Sequence, residues 1–542
     1  MKNKILTSKY FLLSLLIFSG IFSSCKKEME TANAPRLFRP IVVVTTASGQ
    51  NWIKATYTDI KAATSFTVAL STDSFKTIYR SVVTDSAAYT FTNVDWDQQY
   101  QIRVRSNGKD STSSSGYYAV SGINIIFPTL LNNVADSAIT DVGVKPSWIN
   151  NNGNFSTFKI FKMPGDSLAA TITLTAQDTV KKNKEIYGLK PSTNYMIVVY
   201  SGNDYKGRKS FRTVPAQVFA IPVDLRGIKD DSARTLITTT YLQGLANGST
   251  IILKRGLTYT IGGTVALQNS AAFTTGLGFG NNLAVLDLTT GNFNVTAGAT
   301  IGQVSFSNVN LLGNQTAYGA RYVFNINTAC TIGEIIATGC KIRDLRGVVR
   351  VQAGPTTIDT VRFNNCMIDS IKDYGIVNSD NASALIKNIN VVNSTISNAQ
   401  KLFINSKSSG TASINLQNCT FCYTPIGGSY VMDYNTRTIS NGVTMTNCIF
   451  GPGINNTATP AVKDSTNGFR GTANFTTNGN YQTSDLHFMQ KSGSITYPLQ
   501  GLTVYSGSST TLFKKPDQAD FTIIDANFPG KITAGDPRWW KQ

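Results

Sequence analysis

Along residues 358–370, IDTVRFNNCMIDS, apolar and polar positions alternate, break at two asparagines, and resume after a cysteine. The same figure returns as VSFSNVNL, IIATGCKI, NVVNSTI (led by Ile389), INLQNCTF and VTMTNCIF. Set in register, the breaks fall at Asn308, Gly339, Asn365, Asn393, Asn418 and Asn447, between 25 and 31 residues apart. Unequal spacing with a fixed internal phase marks a solenoid whose coils are joined by loops of variable length. Alternation on both sides of the break predicts two short strands per coil, with Val361, Phe363, Cys366 and Ile368 pointing inward. Asparagine and glycine both enter the left-handed backbone region at low cost, so the break is a sharp bend with positive φ. Stacked asparagine amides can also bond from coil to coil, satisfying polar groups at the corner.

One slot follows each bend, filled by Val309, Cys340, Cys366, Ser394, Cys419 and Cys448. A place that accepts Val, Ser or Cys asks for a small interior side chain rather than for sulfur chemistry. Neighbouring strands lie about 4.8 Å apart, a little beyond the usual Cβ separation of a disulfide, so thiols are expected. No zinc site is expected, since the only histidine is His487, outside the repeat. Upstream, residues 231–261 predict one amphipathic helix followed by the first strand, the helix closing the open end of the stack. The β-helix with this cap is expected over 225–470, and its closing segment over 471–542.

The front half alternates differently. Residues 37–126 hold strand-like runs such as IVVVTT, NWIKATYT, SFTVALS and QYQIRVRSNG, with Trp52 placed as a core residue of the second strand and Tyr100 near a sheet corner. Residues 127–214 repeat the plan, and Leu189-x-Pro191-x-Thr193-x-Tyr195-x-Ile197-x-Val199 resembles the E–F corner of fibronectin type III domains. The fold class expected is therefore all-β: two fibronectin type III-like sandwiches followed by a right-handed parallel β-helix. The sandwiches carry no motif for catalysis and read as spacers or protein-binding modules.

The first 24 residues change the compartment. Lys2, Lys4 and Lys9 precede the apolar run FLLSLLIFSGIFSS, which leads through Ser23 and Ser24 to Cys25. This resembles a bacterial lipobox, and the resemblance implies lipidation of Cys25, with 25–36 as a tether. The acidic residues soon after it resemble the export signal of Bacteroidota-type surface lipoproteins. The expectation is an outer-membrane protein, lipid-anchored on the periplasmic or cell-surface face. Removing the three leader lysines leaves 46 Lys+Arg against 31 Asp+Glu, a net of +15 from the +18 of the whole chain. That excess favours anionic partners, yet only 15% of residues are charged and no basic block suits nucleic acid. Among extracytoplasmic anions, uronic-acid polysaccharide is the expected partner.

Ile252, Leu253 and Gly256 leading to Tyr259 resemble the start of pectate-lyase-like right-handed β-helix proteins, and LFKKPDQADFTI and AGDPRWW (534–540) resemble their closing segment. Many members of that group are domains of unknown function. The resemblance implies, for a lyase, Ca²⁺ held by clustered carboxylates and an Arg or Lys base. The outward stripe before the bend, Ser305, Ile336, Arg362, Asn390, Asn415 and Thr444, holds one arginine and no carboxylate. It fits a face for sugar hydroxyls or a solvated sheet. After the bend, Arg346, Lys372 and Lys401 suggest a basic track on exposed loops, edged by Asp344, Asp369 and Asp373, for an anionic polymer or a metal, with Arg350 a further candidate and Tyr374, Tyr423, Tyr430 and Tyr434 lining a groove. Turn chemistry and surface charge are the competing account. Binding of an acidic, pectin-like polysaccharide is the expected role. A polysaccharide lyase, and an adhesin or scaffold, remain as alternatives, and no cofactor is expected outside the lyase case.

Overall fold

Tyr100 and Tyr195 show how the two front domains close. The structure, a computed structural model, describes residues 36–149, 155–316, 319–407, 410–455 and 462–540. The expected leader and Cys25 lie outside the described residues. Two compact units divide the chain: 1–132 with 149–157 and 198–208, and 133–148 with 158–197 and 209–542. The first sandwich pairs a three-stranded sheet, Val42–Thr45, Ile53–Tyr57 and Ala88–Phe91, with a four-stranded one. The latter runs Arg80–Thr84, Ser65–Ser71, Gln98–Asn107, Tyr118–Ile125. Alternation puts Ile53, Ala55, Phe66, Val68, Tyr100, Ile102 and Val104 in its core. The buried Tyr100 ring sends its hydroxyl to the Asp95 N–H, which donates to it at 2.8 Å. Trp52 departs from expectation. It is half-buried and precedes its strand, because the inward phase starts at the fully buried Ile53.

The second sandwich has a short pair, Gly143–Val144 with Ile186–Tyr187, and a four-stranded sheet ordered Ser167–Thr173, Thr157–Lys162, Asn194–Ser201, Asp204–Arg212. Its corner repeats the first: the Lys190 N–H donates to the Tyr195 hydroxyl at 2.9 Å, and the ring stacks on Phe211. Both domains are fibronectin type III-like in sheet composition and in this corner.

The rest is a parallel β-solenoid of about 9 turns. Its single ladder system has 24 strands, from Pro222–Asp224 to Leu502–Val504, so coil strands continue well past residue 470. The stripe Ser305–Ile336–Arg362–Asn390–Asn415–Thr444 is in register from coil to coil. All six bend residues have positive φ: Asn308 50°, Gly339 64°, Asn365 54°, Asn393 48°, Asn418 52° and Asn447 53°. Between two of them an amide ladder forms, Asn418 Nδ2 donating to Asn393 Oδ1 at 3.0 Å. Inside, Phe273 stacks on Phe306 at 5.3 Å and Phe421 on Phe450 at 4.8 Å. Each fully buried side chain of this kind contributes roughly 1.5–3 kcal/mol.

A second bend escaped the sequence pattern. Asp344, Ser370, Asn398 and Tyr423 stand one residue beyond the paired positions Arg343, Asp369, Ser397 and Cys422, and their φ values are 62°, 55°, 49° and 54°. It turns each short strand into a third sheet that contains Tyr322–Ile326, Phe403–Ile404 and the later parts of Lys341–Val351 and Met367–Ser379.

The end caps also differ from expectation. In place of one amphipathic helix stand two single turns, Asp230–Ala233 and Thr239–Gln243. Thr238 accepts from the Tyr241 N–H and starts the second turn anew. Ala233, Ile237 and Leu242 still bury against the first coils. At the other end Tyr505, Leu512, Phe513, Phe521, Ile523 and Phe528 form a separate small core on Cys422 and Ile449.

Candidate functional site

The third sheet carries most of the basic and aromatic residues singled out above. Its outward column reads Asn325, Arg350, Asn378, Ile404, Asp433, Arg470 in successive coils. Arg350 is largely buried and donates to Asp380 Oδ2 at 2.7 Å and to the Tyr374 and Tyr322 hydroxyls at 3.2 and 3.3 Å. Arg346 grips Asp373 with two bonds of 3.0 Å. Both guanidiniums lie near the Tyr374 ring, at 4.5 Å and 3.9 Å from its centroid. Gly347 makes room for this: an added Cβ would stand 2.9 Å from Tyr374 Cβ and 3.1 Å from Tyr322 Cδ1.

The expected basic track carries its own counter-charges, and Arg346 and Lys372 stand on strands rather than on exposed loops. Arg346 and Arg350 are held by carboxylates, since arginine forks match carboxylate geometry and long side chains reach across coils. Burial pushes the Asp373 carboxyl up, and the bonds and charge of Arg346 outweigh this and leave it below its ordinary value. Lys401, half-buried, adds its field to Asp373. Lys372 lays its chain against Gly319, where a Cβ would meet its Cδ at 2.2 Å. Arg362 is on the pre-bend sheet, paired with Glu334 at 3.3 Å, and does not join the others. Tyr434 is fully buried and donates to Thr411 Oγ1 at 3.0 Å, so it lines no groove. Its place in a period-2 strand put it inward, which its polar tip concealed.

Tyr430 supports an open site from behind, through two residues that line it. Its ring lies under the Arg470 guanidinium at 4.4 Å and meets Tyr497 edge-on at 5.2 Å, 78°. Arg470 in turn holds Asp433 with two bonds of 2.8 Å. Burial works against the Arg470 charge, and Asp433 more than restores it, raising its pKa. Beside this pair is a hollow of about 530 Å³, lined by Asn435, Thr436, Arg470, Thr496, Tyr497 and Gln500 among others. Asn435 sits at a positive φ of 52° and Gly471 at 147°, and the pairing of their two strands shifts register between Asp433 and Thr438. Arg470, Tyr497 and Gln500 were missed in the sequence because they fall after the regular figure ends, and Asn435 because it lies in a stretch between two figures that carries no repeat signal. The pairing of Asp433 with Arg470 across coils places Arg470 here, and no sequence signal marks Asn435, Tyr497 or Gln500.

The described residues contain no group of three His, Cys, Asp or Glu side chains arranged to hold a metal ion. They do not fit the calcium site that the lyase resemblance implies. Nor is any described helix long and apolar enough to cross a membrane.

Fold and hollow together define a protein of two fibronectin type III-like domains and a parallel β-solenoid with a polar, tyrosine-edged depression near its last coils. Residues 257–399 match the model of a family described as Domain of unknown function (DUF4957), and residues 414–539 that of Domain of unknown function (DUF5123). No curated protein is similar enough to match the chain. Among solved structures, the chain is similar to a two-fibronectin-type-III-domain segment of chicken tenascin at 15% identity and a TM-score of 0.17, covering 32% of this chain and 99% of that one. It is also similar to the chicken CNTN1 FN1-FN3 domains at 16% identity and a TM-score of 0.15, covering 34% of this chain and 66% of that one.

Proposed function

We propose that this protein is an outer-membrane lipoprotein of a Bacteroidota-type cell that captures polysaccharide, and acidic polysaccharide by preference. Lipidated Cys25 holds it to the membrane, on the periplasmic or cell-surface face, and the two fibronectin type III-like domains serve as spacers or protein-binding modules. The observation that supports capture is the hollow beside Tyr430, Arg470 and Tyr497. Amides from Asn435 and Gln500 and hydroxyls from Thr436 and Thr496 offer donors and acceptors in both senses, as sugar hydroxyls require. The Tyr497 ring adds an apolar surface for the C–H face of a sugar. The net excess of basic residues supports an acidic polymer through long-range attraction.

The test is retention of the full chain on immobilised polygalacturonate and on neutral glycans, run beside an assay for unsaturated product with and without Ca²⁺. Retention without product, lost in Tyr497→Ala at an unchanged melting temperature, is expected. Calcium-dependent product would transfer the reading to a lyase, and retention on no glycan would remove it in favour of a scaffold.

A further inference from the structure

The row of bends is covered over part of its length by the chain's own C-terminal strap. The Gly535 N–H donates to the Asn447 carbonyl at 2.8 Å, and the Asp536 N–H to Thr420 Oγ1 at 3.0 Å. Thr395 Oγ1 donates to Asp536 Oδ2 at 2.8 Å, and Trp539 Nε1 donates to Thr395 Oγ1 at 2.7 Å. The strap thus steps backwards through the coils and reaches Asn365, where Arg538 Nη2 donates to the carbonyl at 2.7 Å and to Oδ1 at 2.6 Å. Beyond Arg538, the bends at Gly339 and Asn308 border a hollow of about 370 Å³.

Its lining has a definite chemistry. Lys341 is exposed and has no ion pair among the described residues. Arg538 is tethered through Nε to Asp536 at 3.2 Å and through Nη2 to Asn365, which leaves Nη1 without a partner among the described residues. Among the described residues the lining contains no carboxylate, and Asp536 is held behind Arg538. Asn308 is exposed, and Asn310 is paired directly with Lys341, which is paired with Met367. Neighbouring coils are about 4.8 Å apart, so these three side chains stand side by side along a short wall. Asp536 already balances the Arg538 charge, so Lys341 supplies the unpaired charge that favours an anion, and Arg538 Nη1 supplies an open donor beside it. Amides and a thioether beside them suit a ring that has hydroxyls and an apolar face.

We infer that this hollow is a second binding site, specific for an anionic sugar whose carboxylate or sulfate lies between Lys341 and Arg538. It is separate from the tyrosine-edged hollow and uses the bend row, which the repeat pattern alone assigns to structure. The sugar part of the inference rests on the proposed function; the anion part rests on the charges alone.

The experiment is calorimetric titration of the full chain, at low salt, with three oligomers of equal length: a uronate, a sulfated neutral sugar and an uncharged sugar. The uronate or the sulfated oligomer is expected to bind, which names the source of the anion. Lys341→Glu should weaken that binding by about tenfold or more, the size of one charge-assisted contact. Asn310→Asp should act in the same direction. The control is Lys54→Glu, an exposed change on the first sandwich, which should leave affinity unaltered. Equal affinity for charged and uncharged oligomers would overturn the inference, as would equal losses from Lys341→Glu and Lys54→Glu. If Tyr497→Ala abolishes capture and Lys341→Glu leaves it intact, the proposed function stands and this site falls. The reverse outcome leaves this site standing and removes the tyrosine-edged hollow.

Discussion

A methyl group added at Gly339 would place its Cβ 2.4 Å from Oδ1 of Asn308, one coil earlier in the bend row. Gly479 has the same relationship to Asn447, at 2.3 Å. Glycine thus appears in the row where the asparagine below it leans into its space, and asparagine where there is room for an amide. Both tolerate the positive φ that the bend demands.

From this contact, Gly339→Ala should destabilise the solenoid by about 1–3 kcal/mol, combining left-handed strain with a steric conflict. Asn365→Gly should be mild, whereas Asn365→Val should be costly, because a β-branched residue resists φ near 54°. Chemical denaturation of the three variants checks this. Equal midpoints for Asn365→Gly and Asn365→Val would refute the bend's role.

Cysteine chemistry gives a second test. Cys330, Cys340, Cys366, Cys419, Cys422 and Cys448 are all buried free thiols. Burial pushes the Cys366 and Cys419 thiols well up. The native protein should therefore resist thiol reagents, and all six should titrate once it is denatured without reductant. A denatured, unreduced sample with no reactive thiol would point instead to a disulfide framework.

Asp380 should make stability depend on acid. It accepts from Lys407 at 2.5 Å and from Arg350 at 2.7 Å. Burial pushes its carboxyl up, and these two cations outweigh burial and hold it below its ordinary value. A carboxyl with a depressed folded pKa adds stability that is complete above its unfolded pKa and lost as pH falls through the folded one. The solenoid should thus lose stability below about pH 4, and Asp380→Asn should flatten that slope. Melting temperatures from neutral to acid pH would show it, and parallel profiles would count against it.

Arg226 and Asp141 provide the fourth test. The guanidinium, 2% exposed, binds both Asp141 oxygens at 2.7 and 2.9 Å, with Asp224 closing the other side. Asp141→Ala should cost about 3–5 kcal/mol by leaving a buried cation short of a partner. Arg226→Met combined with Asp141→Leu should recover much of that loss. A single mutant as stable as the double would show that Asp224 alone satisfies Arg226.

The sequence by itself determined the coil. Asn308, Gly339, Asn365, Asn393, Asn418 and Asn447, with alternating apolar neighbours, specify bend, strand phase and register, because both patterns are local properties of backbone sterics and of period-2 burial. The tyrosine corners at Tyr100 and Tyr195 were legible for the same reason. Only the tertiary structure decided the second bend at Asp344, Ser370, Asn398 and Tyr423, whose residue types share no single backbone preference. It also decided that Arg346 and Arg350 are occupied by Asp373 and Asp380, that Tyr434 faces the core, and that Arg538 reaches Asn365 from 173 residues away. Long side chains choose partners by proximity in space, and nothing in the local pattern records which coils, loops and strap the fold brings together.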